Sequence, residues 1–186
     1  MATFTNTLTR AVAALALTVG ISLPAIAQQG ELDPLFDRLK AVDPADYKPI
    51  EEKIWREWSK SGSPAMDMLL KRGQDAMEAD DFAKAIEHFT ALTDHAPGFA
   101  QGFHARATAF FRAGKYGPAL HDIETALALE PRHFGALAGL AVILEELGMR
   151  AEALEIYYEV RAIHPHRENL SEAIDRLEKA TAGSRI

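Results

Sequence analysis

Small, aromatic and proline residues recur every 34 residues between Met66 and Arg167, and this period constrains the fold more than any other property of the chain. Ala85, Ala119 and Ala153 share one phase, Pro97, Pro131 and Pro165 a second, Phe89, Ile123 and Tyr157 a third, and Gly73, Ala107 and Ala141 a fourth. A unit of this length holds two antiparallel helices. Neither can bury its apolar face alone, so the units must stack on one another. The expected fold is therefore all-α, a right-handed solenoid of helical hairpins.

Helices are predicted at Met66–Ala79 and Phe82–His95, at Ala100–Ala113 and Tyr116–Leu129, and at Phe134–Leu147 and Arg150–Ile163, with a proline turn ending each unit. The units are then residues 66–99, 100–133 and 134–167. Alanines 85, 119 and 153 belong where paired helices cross closely, because a larger side chain there forces the backbones apart. Upstream, Asp33-Pro34 reads as an N-cap with proline at the first helical position, opening a helix Pro34–Val42. Ile50, Ile54, Trp55 and Trp58 lie on one face of a second helix, Pro49–Lys60. Trp55 falls in phase with Phe89 and Trp58 with Leu92, so residues 28–65 read as a degenerate hairpin capping the stack. The tryptophans are core residues on this reading, or a grip for a partner if the hairpin stands exposed. Residues 168–186 carry a last helix, Glu168–Ala180. In it Asp175 takes the small-residue phase, which suits a cap facing solvent.

Arg10, the 13-residue apolar run Ala11–Leu23 and Ala25-Ile26-Ala27 form the three parts of a secretory signal, so residues 1–27 are expected to be removed after Ala27. A bilayer span needs about 20 apolar residues, which makes a retained anchor the weaker reading. Without Arg10 the 20 basic residues become 19 against 27 acidic ones, a net charge of −8. That sign disfavours phosphate backbones and anionic lipid. Cysteine is absent, which removes disulfides, thiolate metal sites and a lipoprotein thioether. The seven histidines are dispersed, with no pair at ligand spacing on one helix, and no metal or other cofactor is expected. No nucleophile elbow, phosphate loop or zinc-protease pair is present, so the chain reads as no enzyme.

The recurring small residue, alanine, aromatic and proline resemble tetratricopeptide repeat (TPR) proteins over 102 of the 186 residues. The family's usual aromatic in the first helix is replaced by Leu69, Phe103 and Leu137, and Arg72 and Arg106 stand where Leu140 keeps a leucine. Each arginine is expected to pair within its unit, Arg106 with Asp122. The Trp-rich hairpin and the run His133–Leu140 are also similar to small exported TPR proteins of alphaproteobacteria, which implies the periplasm and envelope upkeep.

The resemblance implies a concave groove lined by first-helix residues and a protein or peptide partner. The candidate contacts are Leu70, Gln74 and Met77; Gln101, His104, Thr108, Phe111 and Arg112; and Gly135, Ala138 and Val142. Where the family's chaperone-tail binders hold a terminal carboxylate with lysine, arginine and asparagine, this chain has Leu70, Gln74, His104, Thr108, Ala138 and Val142, so that clamp is missing. Phe134–Leu144 has no charged residue, which fits burial between neighbours or a shallow apolar trough at Gly135, Ala138, Gly139 and Val142. The reading is a non-catalytic scaffold that binds an envelope protein. The alternatives are a self-associating structural protein and a carrier of a small apolar ligand.

Overall fold

The computed structural model describes residues 23–182; the expected signal lies outside the described residues up to Ser22. Every regular element among them is a helix: α1 (Leu23–Ala41), α2 (Lys48–Trp58), α3 (Pro64–Glu78), α4 (Phe82–His95), α5 (Ala100–Arg112), α6 (Tyr116–Leu129), α7 (Phe134–Glu146), α8 (Arg150–Ile163) and α9 (Leu170–Ala182). Helices α3 to α8 form three hairpins at the expected period, and α9 packs on α8. The first helices α3, α5 and α7 also touch one another in succession, which places them on the inner face of the solenoid.

The hairpin turns repeat in atomic detail. Asp81 N–H donates to the Ala76 carbonyl, Lys115 to Phe110 and Met149 to Leu144, each closing a helix end in the same way. This closure needs one left-handed residue, supplied by Asp80 (φ 54°), Gly114 (φ 72°) and Gly148 (φ 78°), which are in phase. Ala85, Ala119 and Ala153 are all fully buried, as close helix crossing requires. At Gly73 an added Cβ would collide with the Phe89 ring, so this unit takes glycine where the others take alanine.

The Arg106–Asp122 pair is present. Arg106 Nε donates to Asp122 Oδ2 at 2.7 Å and Nη2 to Oδ1 at 2.8 Å, a two-pronged ion pair with the carboxylate almost wholly buried. The hydrogen bonds to the Asp122 carboxylate, against the opposing pull of burial, push the guanidinium above its ordinary range. Arg72 has no such partner, because the matching position one unit earlier than Asp122 is His88; Arg72 stays exposed.

Two expectations need correction. The first helix does not open at Pro34: it already runs through Leu23, the first described residue, and Pro34 lies inside it. The carbonyl that loses its donor to the proline belongs to Gly30, which is exposed and can be hydrated. The last helix starts at Leu170, not Glu168, because Asn169 is left-handed (φ 60°) and breaks the chain direction there. The hairpin α1–α2 does cover the stack, but on a different side from the sequence order. Its apolar face, Leu32, Phe36, Leu39, Ile50, Ile54 and Trp58, joins the core of α7, α8 and α9. The core around α3 to α5 is a separate cluster. Arg132, in the turn before α7, clamps the hairpin with a 2.7 Å ion pair to Asp33 and a guanidinium 4.4 Å from the Phe36 ring centre.

Candidate functional site

Helix α2 crosses the entry turns of α7 and α9, and its contacts define one end of an apolar trough. Tyr47, just before α2, meets the His164 ring edge-on at 5.2 Å. One turn on, Glu51 Oε1 lies 3.6 Å from His164 Nε2 and 3.7 Å from Arg167 Nη1. Trp55, one further turn on, packs against His104, His133 and Phe134. Trp58 stacks flat on His133 with ring centres 4.1 Å apart. The i, i+4 spacing of Tyr47, Glu51 and Trp55 puts all three on one helix face, which is why one short helix reaches three elements.

Beyond Trp55 the trough remains open, with a volume of about 250 Å³. One wall is α5, through His104, Thr108 and Phe111; the other is α7, through Gly135, Ala138, Gly139 and Val142. Ala107, Ile123 and Ile143 form the floor, and Arg167 closes the end nearest α2. The small residues of α7 make the depression. A Cβ on Gly135 would sit 2.5 Å from Trp55 Cη2, whereas one on Gly139 would meet nothing nearer than Ile123 Cδ1 at 3.7 Å. Helix α7 thus answers both sequence readings: Phe134, Leu137 and Ala141 are buried, and Ala138, Gly139 and Val142 keep partial exposure toward the trough.

The other candidates lie elsewhere. Leu70 is buried in the core of α3 to α5, Met77 packs beside it, and Gln74 is exposed. Gln101 is buried, and its Oε1 accepts from His133 Nε2 at 3.0 Å. Arg112 reaches back to the first unit, to Asp80 at 2.9 Å and over the Phe82 ring at 4.9 Å. Thr108, by contrast, is in the trough wall, where its Oγ1 donates to the His104 carbonyl at 3.0 Å.

His104 and His133 are neutral structural groups. His133 accepts from the Ala136 N–H through Nδ1 at 3.1 Å, capping α7, and so carries its proton on Nε2 toward Gln101. Burial, then the neighbouring His104, pushes its pKa well below the ordinary value. Burial, then the charge of Arg167, lowers His104 to about 4. Its Nδ1 is enclosed without a hydrogen-bond partner. The proximity of His164 first, against the opposing pull of burial, keeps the Glu51 carboxyl below its ordinary range. Burial lowers Arg167, whose guanidinium makes no hydrogen bond to any described residue. Among the described residues no cluster of three or more histidine, cysteine or acidic side chains could hold a metal.

Sequence reasoning missed Arg167 and the position of Trp55. Arg167 shares the phase of Phe99 and His133, the residues that precede α5 and α7, and a charge in that otherwise uncharged phase was the available signal. No helix of the described residues is long and apolar enough to cross a membrane.

A family model described as Tetratricopeptide repeat matches residues 104–168. A TPR repeat-containing protein of Rhizobium etli is 34% identical over 155 residues, covering 83% of this chain and 76% of that protein. The TPR domain of Sgt2 from Aspergillus fumigatus superposes with a TM-score of 0.61 at 21% identity, over 66% of this chain and 82% of the domain. The first TPR of Spaghetti (RPAP3), solved bound to an HSP90 peptide, superposes with a TM-score of 0.60 at 23% identity, over 63% and 93%.

Proposed function

Because the chain belongs to the tetratricopeptide repeat family, we propose that it is a non-catalytic binding protein that docks a peptide or helix of another protein in the trough between α5 and α7. The observation that carries this reading is the trough itself, a depression of about 250 Å³ on the inner face, walled by Phe111, Ala138, Gly139 and Val142. An apolar side chain seated there is worth about 1.5–3 kcal/mol before ordering costs, so a few such anchors give modest affinity. Peptide binding by the structural neighbours supports the same use of the fold. Pockets that enclose a small apolar ligand hold about 300–1,000 Å³, more than this trough, and its open side suits a chain that enters and leaves.

The proposed setting is the periplasm, and the proposed partner an envelope protein. The support is the sequence pattern of residues 1–27, and the mature chain then begins at Gln28. N-terminal sequencing of the exported protein checks the start site; a chain that keeps Arg10 removes the location. For binding, a crosslinked pull-down from envelope extract compares the native bait with one carrying Phe111→Ala and Val142→Lys. A partner held by the native bait and lost by a folded control supports the trough. Equal capture by both moves the site to another surface.

A further inference from the structure

Arg167 stands on the inner face with no hydrogen bond to any described residue. It lines the end of the trough, stacks over Phe134 at 5.5 Å, and is largely covered. Its single ion-pair contact is the 3.7 Å approach of Glu51, too long for a hydrogen bond, and none of its five N–H groups bonds a described residue. A covered guanidinium in this state gains most from a carboxylate that can reach it. Helix α2 shows which chemistry fits beside it, since its Glu51 faces Arg167 while Trp55, one turn on, fills the apolar end at His104 and Gly135. The surface does not stop at Arg167. A second depression of about 430 Å³ shares Ala138, Val142 and Arg167 with the trough and continues past Glu145 and Tyr157. A bound chain can therefore run past the arginine on both sides, and Glu145 beyond it is already paired with Arg176 at 2.6 Å.

We propose that Arg167 is the polar anchor of the trough, and that the partner is a peptide segment that places an internal aspartate or glutamate one helical turn from an apolar side chain. The carboxylate takes the open N–H groups of Arg167, and the apolar side chain lies between Phe111, Ala138 and Val142. This inference rests on the trough being the docking site.

The test uses three synthetic peptides with a fluorescent label and the whole protein. One is blocked at both ends with leucine and glutamate a turn apart, one has glutamine for the glutamate, and one is the glutamine peptide with a free C-terminus. Anisotropy titration is expected to show the glutamate peptide binding about tenfold tighter than the glutamine peptide, the value of one charge-assisted contact at a partly solvated site. The preference disappears in Arg167→Gln and grows in Glu51→Gln, where the competing carboxylate is gone. Equal binding of the two blocked peptides, abolished by Val142→Lys, overturns the arginine assignment and keeps the trough. Tighter binding of the free C-terminus overturns the internal carboxylate. Absence of binding by all three overturns the inference, and loss of partner capture in the pull-down decides separately whether the trough falls with it.

Discussion

Two glycines of α7 offer a controlled test of how the N-terminal hairpin is seated. Gly135→Ala and Gly139→Ala give the same helix the same gain, about 0.5–1 kcal/mol from reduced backbone freedom in the unfolded chain. They differ in what the new methyl meets. At Gly139 it finds Ile123 Cδ1 at 3.7 Å, an ordinary contact. At Gly135 it finds Trp55 Cη2 at 2.5 Å, with Trp55 Cζ2 and His104 Nε2 both at 3.2 Å. Carbon atoms rest about 3.5–4.0 Å apart, so the indole must retreat by about 1 Å. It has little room to do so, because Trp58, Phe134 and His133 lie at ring-centre distances of 5.3, 5.3 and 5.6 Å. Overpacking of this kind costs about 1–3 kcal/mol, so Gly135→Ala should end about 1 kcal/mol less stable and Gly139→Ala slightly more stable than the native protein. Urea unfolding followed by far-ultraviolet circular dichroism gives the stabilities. Fluorescence reports the seat directly, since both tryptophans of the chain are in α2. A red-shifted spectrum with unchanged helicity is expected for Gly135→Ala. Equal stabilisation by both substitutions with no spectral change would refute the packing of Trp55 on α7.

Two further predictions concern charge. Asp122→Ala leaves Arg106 without its carboxylate and should cost about 3 kcal/mol, whereas replacing both partners with apolar residues should cost much less; a double-mutant cycle in urea shows it, and zero coupling contradicts it. Stability should also fall with acid. His104 and His133 are held neutral in the folded chain, whereas the unfolded chain takes up these protons near the ordinary value of 6.5. The stabilisation is complete above that value and is lost as pH falls toward the folded value, about 4 for His104. The slope is at most about 1.4 kcal/mol per pH unit for each histidine. Glu51 acts in the same direction lower down, because its depressed pKa makes the folded chain resist protonation. Unfolding midpoints that do not move between about pH 7 and about pH 5 would contradict this.

The stack was legible because its rules are local and repeated. The bounds of α4, α6 and α8 agree with the expected Phe82–His95, Tyr116–Leu129 and Arg150–Ile163, since glycine or aspartate opens each turn and proline closes each unit. Arg106 and Asp122 were legible as a pair because their positions face each other within one hairpin. The hairpin's seat was not. Periodicity placed Trp55 and Trp58 on an inward face, but it carries no information on which surface a flanking hairpin meets. That choice was made by contacts distant in sequence, Asp33 with Arg132 and Trp58 with His133. Pro34 was misplaced for a different reason, since proline marks a first helical turn by preference, and an exposed carbonyl one turn earlier tolerates it inside a helix. The trough was half legible: the uncharged run of α7 announced an unusual surface, whereas the one charge in the phase of Phe99 and His133, Arg167, carries no local sign that it turns toward α7.

The most direct test of partner docking on the inner face installs a photoreactive residue in place of Ala138, in the wall of the trough, and separately in place of Glu155, exposed on α8. Irradiation of living cells followed by recovery of the protein should give a partner adduct from position 138 and none from position 155. An adduct from position 155 alone would place recognition on the outer helices and contradict the account.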